Sequence, residues 1–326
     1  MTLPAASQDT TSNISRDPFS GLRIAVLIPC YNEHLTIGTV VQDFRDSLPE
    51  ADIYVYDNNS TDATGETARI AGAIVRAERR QGKGYVVRRM FADIEADVYV
   101  LVDGDATYEA AAAPRLVQEL LDGRYDLVNA IRIETNKAAY RGGHALGNKL
   151  LTGMVSLVFG AKSRDMLSGY KAFSRRFVKS FPSTSSGFEI ETELLIHTLE
   201  IDAPMSEIET TYRERPAGSF SKLATFKDGA RILWTITELV RDLMPLQFFF
   251  AAGLLLEAAS VVLVAPVIDT YVETGLVPRL PTAVLALGFT LLAFMSIFVG
   301  LTLDSVAKGR REAKLIAYLK FTSPKN

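Results

Sequence analysis

Two apolar runs near the end of the chain constrain it most. Residues 246–268 are interrupted by one charge, Glu257, and residues 280–303 carry none. A helix of about 20 residues crosses a hydrocarbon core of roughly 30 Å. Each run is long enough. A pair of buried core helices is the other reading, but two such runs in succession favour membrane spans. Hydrophobic residues make up 48% of the 326, beside 22% charged, and the apolar excess collects after Met244. The connecting segment, 269–279, has two acids and one base, whereas the second run is followed by "AKGRREAKLIAYLK". By the positive-inside rule that basic tail is cytoplasmic, and two spans put residues 1–245 on the same side. The expected location is therefore the inner, cytoplasmic membrane. The first twenty residues lack an apolar stretch and read as a flexible tail rather than a signal peptide. Glu257 is an intramembrane charge, read as a helix–helix contact or a snorkelling side chain before any functional role.

Ahead of the first run, residues 222–245 look amphipathic. Phe226, Ile232, Leu233, Ile236, Leu239 and Leu243 recur at helical spacing, flanked by Lys227, Arg231 and Arg241. A helix lying in the membrane interface fits this pattern, and so does packing against the preceding domain. The chain thus divides into a tail (1–20), a catalytic-size domain (21–222), an amphipathic helix (223–245), two transmembrane helices (246–303) and a basic tail (304–326).

Within 21–222, strands and helices alternate. Apolar, β-branched runs lie at 22–28, 52–57, 73–77, 97–103 and 126–132, with helical patterns near 33–47, 62–71, 84–95 and 115–123. Such alternation predicts a Rossmann-like α/β fold, a mostly parallel sheet with helices on both faces. Three polar clusters follow predicted strands: "PCYNE" (29–33), "DNNSTD" (57–62) and "DGD" (103–105). A single cluster is explained by a turn. Three on the carboxyl edge of one sheet form a site, because open α/β sheets bind ligands there.

The composition excludes other classes. A net charge of −3 leaves no global basic footprint for nucleic acid. One cysteine, Cys30, and three scattered histidines cannot build a zinc cage. Asp103 and Asp105 are hard oxygen ligands suited to Mg2+ or Mn2+. Mg2+ takes only one or two protein carboxylates and completes its shell with water and substrate phosphates. The stretch "RAERRQGKGYVVRR" adds basic groups, among them Lys83, that could approach phosphates. It is not a P-loop, and by itself it reads as a solvated basic face.

The segments "LIPCYNE", "YDNNSTDAT", "VLVDGDATY", "SGYKAFSRR", "GFEIETELL" and "RERPAGSFSKL" occur in this order. Together they resemble the family-two inverting glycosyltransferases of GT-A fold. Within that family they are similar to the polyprenyl-phosphate group that includes dolichyl-phosphate mannose synthase, some of whose members end in two transmembrane helices. The resemblance implies transfer of a sugar from a UDP- or GDP-linked donor to a membrane polyprenyl phosphate, with a divalent cation. It implies that Pro29, Asn32 and Glu33 line the nucleotide pocket and that Asp57, with Asn59, binds the base and ribose. Asp103 would face ribose or metal, and Asp105 would ligate the cation. Ser168, Gly169 and Lys171 match a segment near sugar and acceptor, and Glu189 and Glu191 an acidic helix start at the sugar. Arg215, Ser221 and Lys222 match a phosphate-contacting stretch, and Arg132 and Arg141 fit basic positions for the lipid phosphate. The single tryptophan, Trp234, sits in "RILWT" and not in the "QxxRW" of processive synthases, which argues against polymerisation. A nucleotidyltransferase would want a Gly-rich phosphate loop near the N-terminus, which "PCYNEHLTIG" is not, and Asp103, Asp105, Arg215 and Lys222 argue against a non-catalytic membrane scaffold; a membrane-anchored glycosyltransferase with another acceptor stays the alternative. Donor identity and homo-oligomerisation are also open.

Overall fold

The computed structural model describes residues 19–134, 153, 163–187, 189–213 and 237–322. Its centre is a seven-stranded sheet in the order β3 (Ile74–Ala77), β2 (Asp52–Asp57), β1 (Ile24–Cys30), β4 (Val98–Leu101), β6 (Lys171–Ser174), β5 (Leu127–Glu134), β7 (Met205–Tyr212). Strand β1 (Ile24–Cys30) lies between β2 (Asp52–Asp57) and β4 (Val98–Leu101), parallel to both. Five residues in succession, from Ile24 to Ile28, are buried on β1. That is the mark of a strand covered on both faces. Ile24, Val26, Ile28 and Cys30 point into one apolar layer and Ala25 and Leu27 into the other, as the two-residue period of a strand requires.

The first layer is closed by α1 (Ile37–Ser47), α2 (Thr64–Ile70) and α4 (Ala113–Asp122). Helix α1 buries Ile37, Val40, Val41 and Phe44, the one-sided stripe of a surface helix. The second layer is closed by α3 (Lys83–Asp93), α5 (Arg175–Ser180) and α6 (Ile190–Glu200). Strand β3 (Ile74–Ala77) forms one edge of the sheet.

The sheet is mostly parallel, as expected, with one antiparallel strand in its other half. Strand β6 (Lys171–Ser174) runs antiparallel to both β4 and β5 (Leu127–Glu134), and β7 (Met205–Tyr212) closes the far edge parallel to β5. Neither β6 nor β7 was expected from the sequence. Four residues are too few to set a period, and the polar, half-buried edge strand "MSEIETTY" has no apolar alternation to read.

Two long helices follow, α7 (Pro245–Thr274) and α8 (Leu280–Leu319). Both are long and apolar enough to cross a membrane, and only 11% and 17% of their apolar windows are buried. Core helices of a soluble domain would be mostly covered, so these are candidate transmembrane helices. Small residues at seven-residue spacing, Gly253 and Ser260 on α7 and Ala286, Ala293 and Gly300 on α8, are buried between them. Ser260 Oγ donates to the Ala286 carbonyl at 2.7 Å and Ser296 Oγ to that of Phe249 at 2.8 Å. Close approach with cross-helix hydrogen bonds is how helices associate in lipid. Leu243 is buried in the second layer, with Leu239 and Met244 packed on it, so residues 237–243 tie the helix pair to the sheet domain. Most of the expected amphipathic helix, 223–236, lies outside the described residues. The expected tail beyond 303 does not begin there as a separate element: α8 continues to Leu319.

Candidate active site

The three polar clusters meet on one edge of the sheet. Cys30 pairs in register with Asp57, and Leu27 with Leu101, two residues before Asp103. The first two clusters are stitched together. The backbone N–H of Asn32 donates to Ser60 Oγ at 2.9 Å, and Asn32 Oδ1 accepts from the Thr61 N–H at 2.8 Å. Glu33 N–H donates to Thr64 Oγ1 at 2.8 Å, and Asp57 Oδ1 accepts from Ser60 N–H at 3.0 Å. Asn32 and Asn59 sit in the left-handed region, with φ of 52° and 62°, which asparagine tolerates better than most residues. Pro29, half-buried, lies beneath this rim, and Asn59 projects from it.

Asn58, inconspicuous between Asp57 and Asn59, organises the next loop. It is buried, donates through Nδ2 to the carbonyls of Glu78 (2.9 Å) and Arg80 (2.7 Å), and accepts from Gly82 N–H at 2.7 Å. Gly82 has φ of +136°, and a Cβ there would stand 2.1 Å from the Ser186 carbonyl oxygen. The signal was present in its place, one residue beyond the end of β2 and in line with Tyr54 and Tyr56.

This loop delivers Lys83, the first residue of α3. Its Nζ donates to Asp103 Oδ1 at 2.5 Å and also to Glu191 Oε1 in the first turn of α6. The Lys83 and Glu191 side chains are 8% and 6% exposed, while Asp103 keeps 29% open to solvent. Burial disfavours the ammonium, but the two carboxylates outweigh it and raise the Lys83 pKa above its ordinary value. Lys83 is therefore a fixed positive charge at the floor of the site. Glu191 Oε2 is buried with no hydrogen-bond partner among the described residues. Gly169 must lack a side chain, because a Cβ would lie 2.3 Å from Asp103 Oδ2.

Asp105 is buried and fixed by its own turn: Oδ1 accepts from Thr107 Oγ1 at 2.6 Å and from Thr107 N–H at 3.2 Å. Thr36 Oγ1 donates to the Gly104 carbonyl at 2.7 Å, pinning the loop to the start of α1. Arg213 N–H donates to the Thr107 carbonyl at 2.8 Å. Among the described residues no group of three or more His, Cys, Asp and Glu forms a metal cage. Two carboxylates with hard oxygens still suit a cation whose remaining ligands are substrate phosphates and water.

The side assigned to the acceptor differs from expectation. Arg132 projects at the rim, held by Asp165 through two bonds of 2.7 and 2.8 Å, with its guanidinium 5.4 Å from the Tyr212 ring centre. Ser168 and Lys171 are wholly buried, Lys171 at the start of β6, an interior strand covered on both faces. Ser168 Oγ accepts from Tyr170 N–H at 3.2 Å, and Lys171 Nζ donates to Asn129 Oδ1 at 2.5 Å. Burial pulls the Lys171 pKa down to about 8, against the raising effect of Asp165 and Glu191. These two residues support the site from beneath instead of lining it. Asp165 and Asn129, which hold Arg132 and Lys171, were not singled out in the sequence. Arg141, Arg215, Ser221 and Lys222 lie outside the described residues.

Comparison with known proteins places this geometry. Residues 25–181 match the model of glycosyl transferase family 2. The chain is 35% identical over 232 residues to glycosyltransferase AglJ of Haloferax volcanii, covering 71% of this chain and 76% of that one. It is 31% identical over 210 residues to a dolichyl-phosphate hexose transferase of the same organism, covering 64% and 90%. The chain belongs to glycosyltransferase family 2. Among solved structures, this glycosyltransferase is similar to glucosyl-3-phosphoglycerate synthase from Mycobacterium tuberculosis in complex with Mn2+, UDP and glucosyl-3-phosphoglycerate. That match has a TM-score of 0.55 and 27% identity, and covers 68% of this chain and 79% of the other. The GT-A fold and the glycosyltransferase activity expected from the motifs are thereby borne out.

Proposed function

We propose that this glycosyltransferase transfers a sugar from a nucleoside-diphosphate donor to a polyprenyl phosphate in the membrane, inverting the anomeric configuration. The observation that carries the proposal is the joining of a family-two site to two candidate transmembrane helices through residues 237–243, whose Leu243 is part of the domain core. Such an anchor would hold the site beside a lipid acceptor. The relative named as a dolichyl-phosphate hexose transferase supports the acceptor class, and the solved neighbour with UDP and Mn2+ supports the donor diphosphate and the cation.

The roles follow from charge. Pro29, Asn32, Glu33, Asp57 and Asn59 cradle the nucleoside. Asp105 and Asp103 would hold Mg2+ or Mn2+, which would supply positive charge for the donor diphosphate. As the bond at the anomeric carbon breaks, negative charge grows on the leaving diphosphate, where Arg215 and Lys222 stabilise it. Glu191 Oε2 accepts from a hydroxyl of the donor sugar. Arg132 and Arg141 hold the acceptor phosphate, which is ionised at neutral pH and needs positioning more than a general base. The solved neighbour's soluble phosphorylated product favours one second reading, a non-lipid phosphate acceptor.

Arg215→Ala is expected to lower kcat/KM about a hundredfold, the usual effect of removing one donor to developing charge. Arg115→Ala, on the exposed face of α4, should change it less than twofold. Equal kinetics for the two variants would remove the phosphate role of Arg215.

The proposal also sets orientation, with the domain and the end of α8 facing the cytoplasm and residues 269–279 on the other side. With Cys30 replaced, single cysteines are placed at Thr274 and Ser305. A membrane-impermeant thiol reagent on intact cells should label the first and spare the second. The reverse pattern would overturn the orientation.

A further inference from the structure

The far end of α8 returns to the catalytic domain, at the sheet edge opposite the site. Asp126, just before β5, is wholly buried. Its carboxylate accepts from Ser174 Oγ (2.5 Å), from Arg176 Nε (3.1 Å) and Nη2 (2.5 Å), and from the Tyr318 hydroxyl (2.5 Å). A buried carboxylate persists only where such bonds replace water. Tyr318 packs against Ile201 and Ala203, and the Arg176 guanidinium lies over its ring at 4.4 Å. One turn earlier, Lys314 Nζ donates to Glu200 Oε2 at 2.5 Å, with Arg311 Nε 3.8 Å from Oε1. Arg311 also donates to the Leu243 carbonyl at 2.9 Å, and Arg310 to that of Asp242 at 3.2 Å. Ala307, Arg311, Lys314 and Tyr318 follow a spacing of four, three and four, so they share one face of α8.

Resting on the membrane reading above, we propose that this extramembrane part of α8 is a latch that fixes the catalytic domain rigidly on its membrane stalk. The latch sets the height and tilt of the site over the bilayer, and Arg311, Lys314 and Tyr318 are positioning residues. The contacts occur at three levels: where α7 begins, at the end of α6 and at the start of β5. Helix α6 carries Glu200 at one end and Glu191 at the other. Nine residues at about 1.5 Å each separate them by roughly 14 Å. The stalk and the Lys83–Glu191–Asp103 cluster are thus attached to one short rod. The acceptor phosphate lies at a fixed depth in the membrane, so the distance from site to bilayer decides whether it is reached. Arg311 and Lys314 are among the basic residues that orient the spans, and the latch gives them a second role.

The test uses the full chain in lipid nanodiscs and the variant Tyr318→Ala/Lys314→Ala, with Tyr318→Phe as the conservative change. Amide exchange of residues 312–319 should quicken at least about tenfold in the double variant, while β1 and β4 keep their protection. Transfer to a long-chain polyprenyl phosphate in the bilayer should fall about tenfold or more, because small misplacements are amplified in rate. Transfer to a short-chain isoprenyl phosphate dissolved in buffer should stay within about twofold. Tyr318→Phe, which keeps the packing, should fall between wild type and double variant in both measurements. Unchanged exchange, or equal losses on the two acceptors, would overturn the latch. If the wild type transfers to neither phosphate, the acceptor reading fails, and the exchange measurement alone decides the latch.

Discussion

Asp105→Asn is expected to reduce transfer about a thousandfold or more, the scale on which a metal-bound phosphoryl clamp contributes to stabilising a leaving group. The variant should fold normally. Asparagine keeps an oxygen to accept from Thr107 Oγ1 and N–H, the two bonds that hold the Asp105 turn, and loses only the charge. The readout has two parts. Turnover should vanish, and the rise in melting temperature that nucleoside diphosphate with Mn2+ gives the wild type should vanish with it, since a ligand that no longer binds stabilises nothing. EDTA should silence the wild type, and Mn2+ or Mg2+ should restore it. An Asn variant of full activity would remove Asp105 from the metal.

Lys83→Met should be as damaging, for a different reason. It leaves the carboxylates of Asp103 and Glu191 side by side without the ammonium that both contact. Removing one partner of a buried ion pair costs about 3–5 kcal/mol, a large share of the roughly 5–15 kcal/mol that stabilises a domain. The melting temperature should therefore drop clearly and transfer should be lost. Glu191→Gln added to the same chain should restore much of the thermal stability, because it removes one of the unpaired charges, but none of the turnover. A single variant as stable as the wild type would show that Lys83 does not neutralise this pair.

The strands that could be read were those carried by apolar, β-branched runs. "IAVLIPC" and "VYVL" announce central strands because nothing polar interrupts them, and the polar residues that follow then mark the binding edge. Strand β6 could not be read: "KAFS" begins with a lysine that is wholly buried only because Asn129 receives it and Asp165 and Glu191 lie near. Its tertiary partners make it a strand. The site was legible in residue types and not in contacts. Asp103, Lys83 and Glu191 were each named, but the bond from Lys83 to Glu191 spans 108 positions, and no local pattern reports it. Asn58 was hidden beside the more visible Asp57 and Asn59. The end of α8 was read as a basic tail because its charges were counted for the membrane, whereas Arg311, Lys314 and Tyr318 share a face that binds the domain.

The most direct test of the central claim follows the sugar. Purified full-length protein, Mn2+ and vesicles containing polyprenyl phosphate are incubated with a panel of UDP- and GDP-sugars, each labelled in the sugar, and the mixture is extracted with organic solvent. One donor is expected to place label in the organic phase, only when both the polyprenyl phosphate and the divalent cation are present, and the Asp105→Asn protein should place none there. Label that stays in the aqueous phase with every donor, while a soluble phosphorylated acceptor receives it, would contradict the account.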